Sequence, residues 1–221
     1  MTRRRIPRWT GAILSMALLA GCAPGLTGGG RASDPALDRI LVSDAGVPTQ
    51  QGLLFMAMQN AEVARQSAGF ALAADDPVDA KAQINNLLYA IDPEFPPTPT
   101  ITAAGVTSFW PPAGYGLRHS VQDIAEEMRA LSSRHDSRAT VVAQARQVTV
   151  CTDEALSRVD RLVSLGQQAL AAGSADEMAP LLAEIDRLAQ ITLEAPAAQS
   201  ADACSLEDTR RELQTLALQL A

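Results

Sequence analysis

Few side chains in this 221-residue chain are placed to do chemistry. His119 and His135 stand sixteen positions apart, about 24 Å if one helix joins them, too far to share a metal ion. No Cys/His ligand cluster and no HExxH motif accompanies them, so solvated histidines and no metal are expected. Glu126 and Glu127 are adjacent and point in different directions on a helix, which does not make an acid and base pair. Asp75-Asp76 precedes a proline and reads as helix capping. Asp153, Glu154 and Asp160 alternate with Arg158 and Arg161 in the manner of a solvated helix face. No GxSxG elbow carries a serine, and Gly28-Gly29-Gly30 has no strand before it or helix after it, so it is not a phosphate loop. Gly114-Tyr115-Gly116 could offer backbone donors to an anion at a helix start, but a plain turn explains it equally. No catalytic set, no cofactor and no enzyme is expected.

The remaining reactive group is sulfur. Cys22 ends a segment with Arg3, Arg4, Arg5 and Arg8, then an uncharged run from Gly11 to Ala20, then Gly21. Basic start, apolar middle and small-residue end are the parts of a secretory signal peptide, and the run is shorter than the roughly 20 residues of a permanent span. Leu19-Ala20-Gly21-Cys22 resembles the lipobox of bacterial lipoproteins. That resemblance covers about a tenth of the chain. It implies cleavage before Cys22, a thioether from its thiol to diacylglycerol, and acylation of its amine with a fatty acid such as palmitate. Each buried methylene adds roughly 0.8 kcal/mol, so two or three acyl chains hold a protein to a membrane. Ala23, where an aspartate would signal inner-membrane retention in that class, points to the outer membrane, facing the periplasm. The segments expected are a signal peptide over 1–21, a lipidated cysteine and flexible Gly/Pro tether over 22–35, and a helical domain over 36–221.

Two cysteines remain, Cys151 and Cys204, and an even pair in an exported chain reads as a disulfide. Removing residues 1–21 takes four arginines and no acids, leaving 14 basic against 25 acidic residues, a net charge of −11. A body that acidic argues against nucleic acid as a partner and against adsorption on anionic lipid. With 40 alanines and eight aromatics, composition favours helix over sheet.

The elements that hold these residues are legible in order. A short apolar piece over Leu37 to Val42 makes a helical turn. Leu54, Met58, Ala61, Ala64 or Arg65, Ala68 and Leu72 keep three-and-four spacing, predicting a helix from about Gln50 to Ala74. Asp76 caps a second, from Pro77 to about Ile91, with Val78, Ile84, Leu87, Leu88 and Ile91 facing inward. Asn85, Asn86 and Tyr89 lie on it and are candidates to line a ligand site inside the helices. Residues 92–116 carry six prolines and break the helical pattern. Phe95, Phe109, Trp110 and Tyr115 fall in that loop. Aromatics argue against plain disorder there. Either they plug the end of the domain, or Phe109, Trp110 and Tyr115 form a contact surface for a partner protein or glycan.

Leu117, Val121, Ile124, Met128 and Leu131 predict a helix to about Ser133. Val141, Ala145, Val148, Thr152, Ala155, Val159, Leu162, Gly166 and Ala169 predict the longest, about Ser137 to Ala172, with Gly173 as its C′ residue. Ser174-Ala175-Asp176-Glu177 is a capping box opening a helix to Glu194. A last helix follows Ser205, burying Leu206, Leu213, Leu216 and Leu220. No strand of useful length is expected.

The expected fold is all-α, an antiparallel bundle of five or six helices with one long Pro/aromatic loop. The favoured role is non-enzymatic, a scaffold or interaction module of the cell envelope. The alternative is a carrier holding an apolar or cyclic ligand at Asn85, Asn86 and Tyr89.

Overall fold

The computed structural model describes residues 34–47, 49–95, 101–102, 105–106, 115–134, 137–194 and 204–220, all within the compact unit that spans 32–221. Residues 1–33, which hold the expected signal segment, Cys22 and most of the expected tether, lie outside the described residues, as do His135, Phe109 and Trp110.

The described chain is all-helical apart from a two-residue antiparallel ladder, Ile101–Thr102 (β1) with Gly105–Val106 (β2). Seven helices occur among the described residues: α1 Pro35–Leu41, α2 Leu53–Leu72, α3 Pro77–Ile91, α4 Leu117–Ser133, α5 Ala139–Ala171, α6 Ala175–Leu193 and α7 Leu206–Leu220. The count exceeds the expected five or six because the short apolar piece forms a helix of its own. Asp34 caps it, accepting from the Ala36 amide at 2.9 Å, and Pro35 sits at the first helical position, where no amide donor is needed.

The other boundaries follow from local chemistry. Asp76 accepts from the Val78 amide at 2.8 Å and Pro77 opens α3. Ser174 accepts from the Glu177 amide at 3.2 Å, and Glu177 reaches back to the Gly173 amide at 2.9 Å, the reciprocal exchange of a capping box shifted by one residue. That bond replaces the expected left-handed ending of α5. The C-cap is Ala172 in extended conformation (φ −59°, ψ 134°), and Gly173 instead serves the start of α6.

α5 is the axis of the fold. Its stripe from Val141 to Ala169 is buried at every expected position, and it packs against α3, α4, α6 and α7. The pairings run antiparallel. Arg118 and Arg129 of α4 meet Asp160 and Asp153 of α5. Arg138 and Gln144 meet Gln219 and Glu212 of α7. Lys81 at the start of α3 donates to the Ala172 carbonyl at 2.8 Å.

α2 lies against α3, α4 and α6. Half of its buried residues are alanine: Ala57, Ala61, Ala64, Ala68 and Ala71 are at most 2 % exposed. Such short side chains let neighbouring backbones come close. Gly166 does the same for α5, since a Cβ there would stand 2.9 Å from the Leu88 side chain of α3.

Two expected core residues are on the surface. Leu72 is 45 % exposed and Val78 is 72 % exposed. They flank the turn between α2 and α3, one at the last residue of α2 and one in the first turn of α3, where no neighbouring helix covers that side. The buried stripe of α2 ends instead at Ala71.

Candidate functional site

Of the loop aromatics, Tyr115 is described. It is half-buried and joins three parts of the chain. Its carbonyl accepts from Asn60 Nδ2 at 2.8 Å, its phenol donates to the Asp123 carboxylate one turn into α4, and its ring lies 5.7 Å from that of His119. Burial first, then the bond to Asp123 and its negative charge, raise the Tyr115 phenol well above its ordinary value, so it is a neutral donor at physiological pH. Asn60 is fully buried on α2. Tyr115 thus pins the end of the proline-rich loop to α2 and α4. His119 is half-buried beside it rather than solvated.

Gly116 follows. A Cβ at Gly116 would fall 2.8 Å from both the Ile91 carbonyl carbon and Pro93 Cδ, and closer still to the Ile91 oxygen. The start of α4 therefore abuts the end of α3.

A second polar group stands beside Tyr115. Arg39 of α1 donates to Asp44 Oδ2 through Nε at 3.0 Å and Nη2 at 2.7 Å, and also to Glu127 of α4. Asp44 is 5 % exposed and accepts from the Gly46 amide at 2.8 Å. Desolvation pushes its carboxyl up, but the Arg39 bond, the Gly46 amide and the Arg39 charge together outweigh it, and the group sits below its ordinary value. A depressed carboxyl contributes stability above its unfolded value, near 4, and loses it as pH falls through the lower folded value. Asp44→Asn is therefore expected to cost about 2 kcal/mol at pH 7, as a charged hydrogen bond does. The gap from the unsubstituted protein closes as pH drops below about 4. Urea titrations at pH 7 and pH 3 measure it; an equal gap at both would refute the pairing.

Cys151 of α5 and Cys204, just before α7, lie at disulfide distance with Cα atoms 4.9 Å apart. The peptide of Cys204 is gripped on both sides. Its amide donates to Glu154 Oε2 at 3.1 Å, and its carbonyl accepts from Arg158. Burial lowers the affinity of Arg158 for its proton against the opposing pull of Glu154 and Asp208. Ser205 and Asp208 cap α7 reciprocally, at 2.9 Å and 3.1 Å between amides and side chains. The function of this cluster is to staple α7 to the middle of α5. The charge pattern placed Glu154 and Arg158 on a solvated helix face; Arg158 is largely buried instead, because its contact with Cys204 joins residues 46 positions apart that no local spacing relates.

Asn85, Asn86 and Tyr89 are half-buried on α3, and none of them is without a partner. A cavity of about 190 Å³ lies elsewhere, between the end of α4 and the start of α5. Among the described residues no group of three or more His, Cys, Asp or Glu is placed to hold a metal, and no helix is long and apolar enough to cross a membrane.

Among the described residues Val42, Phe55, Val150 and Leu218 are exposed apolar side chains as well, but three others fall close together in the chain. Phe70, Leu72 and Val78 are 57 %, 45 % and 72 % exposed, three large apolar side chains within nine residues around the α2–α3 turn. Asp75, Asp76 and Asp79 are interleaved with them.

What the fold and these sites define is an all-helical domain with a stapled terminal helix and an apolar, acidic turn at one end. Compared with protein-family models, curated proteins and solved structures, the chain matches none.

Proposed function

We propose that this chain is a lipoprotein of the bacterial envelope, held to a membrane through Cys22, whose antiparallel helical bundle presents a protein-contact surface to the periplasm and has no catalytic role. The observation that carries the reading is the separation of the two ends of the bundle. The chain enters its helices at Asp34, whose carboxylate pairs with Arg134 beside the first turn of α5. The exposed Phe70, Leu72 and Val78 lie at the other end, where Lys81 meets the last carbonyls of α5. Thirty-three residues of α5 separate them, about 50 Å. Leu218 is exposed at the tether end as well, but the cluster of three apolar side chains is at the far end, which is the layout of an anchored docking module. Phe109 and Trp110, with Tyr115 fixing their loop against α2, are a second contact candidate.

Cell fractionation and crosslinking test the two halves separately. Cys22→Ser is expected to move the protein from the membrane pellet to the soluble fraction; a variant that still sediments would remove the anchor. In intact cells, Phe70→Asp and Val78→Asp are expected to lose crosslinked partners that the unsubstituted chain captures. Trp110→Ala reports on the loop in the same assay. An unchanged set of adducts in all three variants would leave no contact surface in either place.

A further inference from the structure

The end of the domain away from the tether carries a charge that the reading above leaves unused, and that charge selects a partner. Four helix ends lie there: α2 stops at Leu72 and α5 at Ala171, while α3 starts at Pro77 and α6 at Ala175. Lys81 of α3, bound to the Ala172 carbonyl at 2.8 Å, ties the two turns together. Two helix C-termini and two N-termini offset one another's dipoles, so side chains set the sign of the potential.

Residues 66–83 and 167–183, all of them described, hold Asp75, Asp76, Asp79, Asp176 and Glu177 against Lys81 alone, a surplus of four negative charges. Asp76 and Glu177 accept from the Val78 and Gly173 amides as caps. Asp75, Asp79 and Asp176 are exposed and enter no ion pair among the described residues. The next cations along these helices are engaged elsewhere: Arg65 pairs with Glu62, Arg187 pairs with Glu184, and Arg161 adds its charge to Glu184. The positions past residue 33 that lie outside the described residues hold no lysine or arginine, so none of them offsets the surplus. Arg31, three residues before Asp34, reaches about 10 Å from the opposite end.

We infer, resting on the docking reading above, that the partner at this end is a basic protein segment presenting Lys or Arg beside apolar side chains, as an amphipathic helix does. The exposed Phe70, Leu72 and Val78 call for carbon on the partner. The unpaired carboxylates interleaved with them repel a partner of like charge and speed the approach of a cationic one. A metal ion has no use for the apolar side chains, and among the described residues no three acids are placed to hold one. Anionic lipid is repelled by the same surplus, and the anchor end is about 50 Å away along α5.

Fluorescence anisotropy with labelled synthetic helical peptides of about four turns tests this on the full chain in nonionic detergent, with detergent alone as the blank. Three peptides share one length and pattern: Leu with Lys, Leu with Glu, and Ser with Lys. Saturable one-to-one binding of the Leu/Lys peptide, weakened at least tenfold by Asp75→Asn with Asp79→Asn and at least as much by Phe70→Ser with Val78→Ser, supports the proposal. Asp76 is left in place because it caps α3, and Glu126→Gln, an exposed acid on α4, is the control expected to change nothing. No binding of the Leu/Lys peptide at submillimolar concentration overturns the basic partner. So does equal binding of the Leu/Glu or the Ser/Lys peptide, or binding that the two asparagine substitutions leave intact. Crosslinking in cells separates this from the docking reading itself. Adducts lost with Phe70→Asp but kept with Asp75→Asn and Asp79→Asn overturn the basic partner and leave the surface, whereas adducts kept by both variants remove the surface as well.

Discussion

Replacing Cys151 and Cys204 together by alanine is expected to lower the melting temperature by roughly 8–16 °C, from a loss of about 4 kcal/mol. The bond joins positions 53 residues apart. Cross-linking a loop of that size removes a large share of the unfolded chain's freedom, and the loss on unlinking follows from loop length. The double variant is the proper test, because Cys151 is 1 % exposed and a reductant reaches it slowly in the folded protein. Far-ultraviolet dichroism at 20 °C should change little. α7 keeps its grip through Arg158 on the Cys204 carbonyl, Glu154 on the amide, and the Gln144–Glu212 bond. The buried Leu206, Leu213 and Leu216 remain beneath it. Calorimetry checks the claim, and a shift below 2 °C would show that the staple does not constrain the unfolded chain.

Gly116→Ala has the next largest expected effect, a loss of about 3 kcal/mol. The backbone angle at Gly116 is not the reason, since φ is −86° and any residue adopts it. The reason is space. An added methyl meets backbone atoms of Ile91 and the ring of Pro93 at 2.8 Å, and neither can swing aside as a flexible side chain does. The end of α3 and the start of α4 must separate, which also strains the Asn60 bond to the Tyr115 carbonyl and the Arg118–Asp92 pair. Gly173→Ala is the matched control. Its nearest neighbour would be Glu177 Oε2 at 3.6 Å, an ordinary contact, and stability should hold within about 0.5 kcal/mol. Equal losses in both variants, measured by denaturant unfolding, would argue for a general glycine effect over the α3–α4 contact.

Helix positions, caps and most of the core were legible without the structure because their causes are local. Asp76-Pro77, Ser174 with Glu177, and Ser205 with Asp208 are starts written within four residues. The α4 and α5 stripes recur at three and four because one face of each helix meets neighbours along its whole length. The cysteine pairing was legible from the two cysteines left in the body of the chain. Leu72 and Val78 were misplaced in the core because periodicity says which residues share a face, not where the covering neighbour ends. Tyr115, Asn60 and Asp123, the Arg39–Asp44–Glu127 group, and the hold of Arg158 and Glu154 on Cys204 join residues 5 to 88 positions apart. Those that span 46 positions or more need helices packed side by side, which no local pattern encodes. By itself the sequence determined that the domain is helical, where the capped helices α3, α6 and α7 start and which two sulfurs meet; the uncapped α2 and α5 begin two or three residues later than expected. Only the tertiary structure decided which ends are capped by neighbours and which side chains remain exposed, because exposure depends on distances between helices that no local pattern encodes.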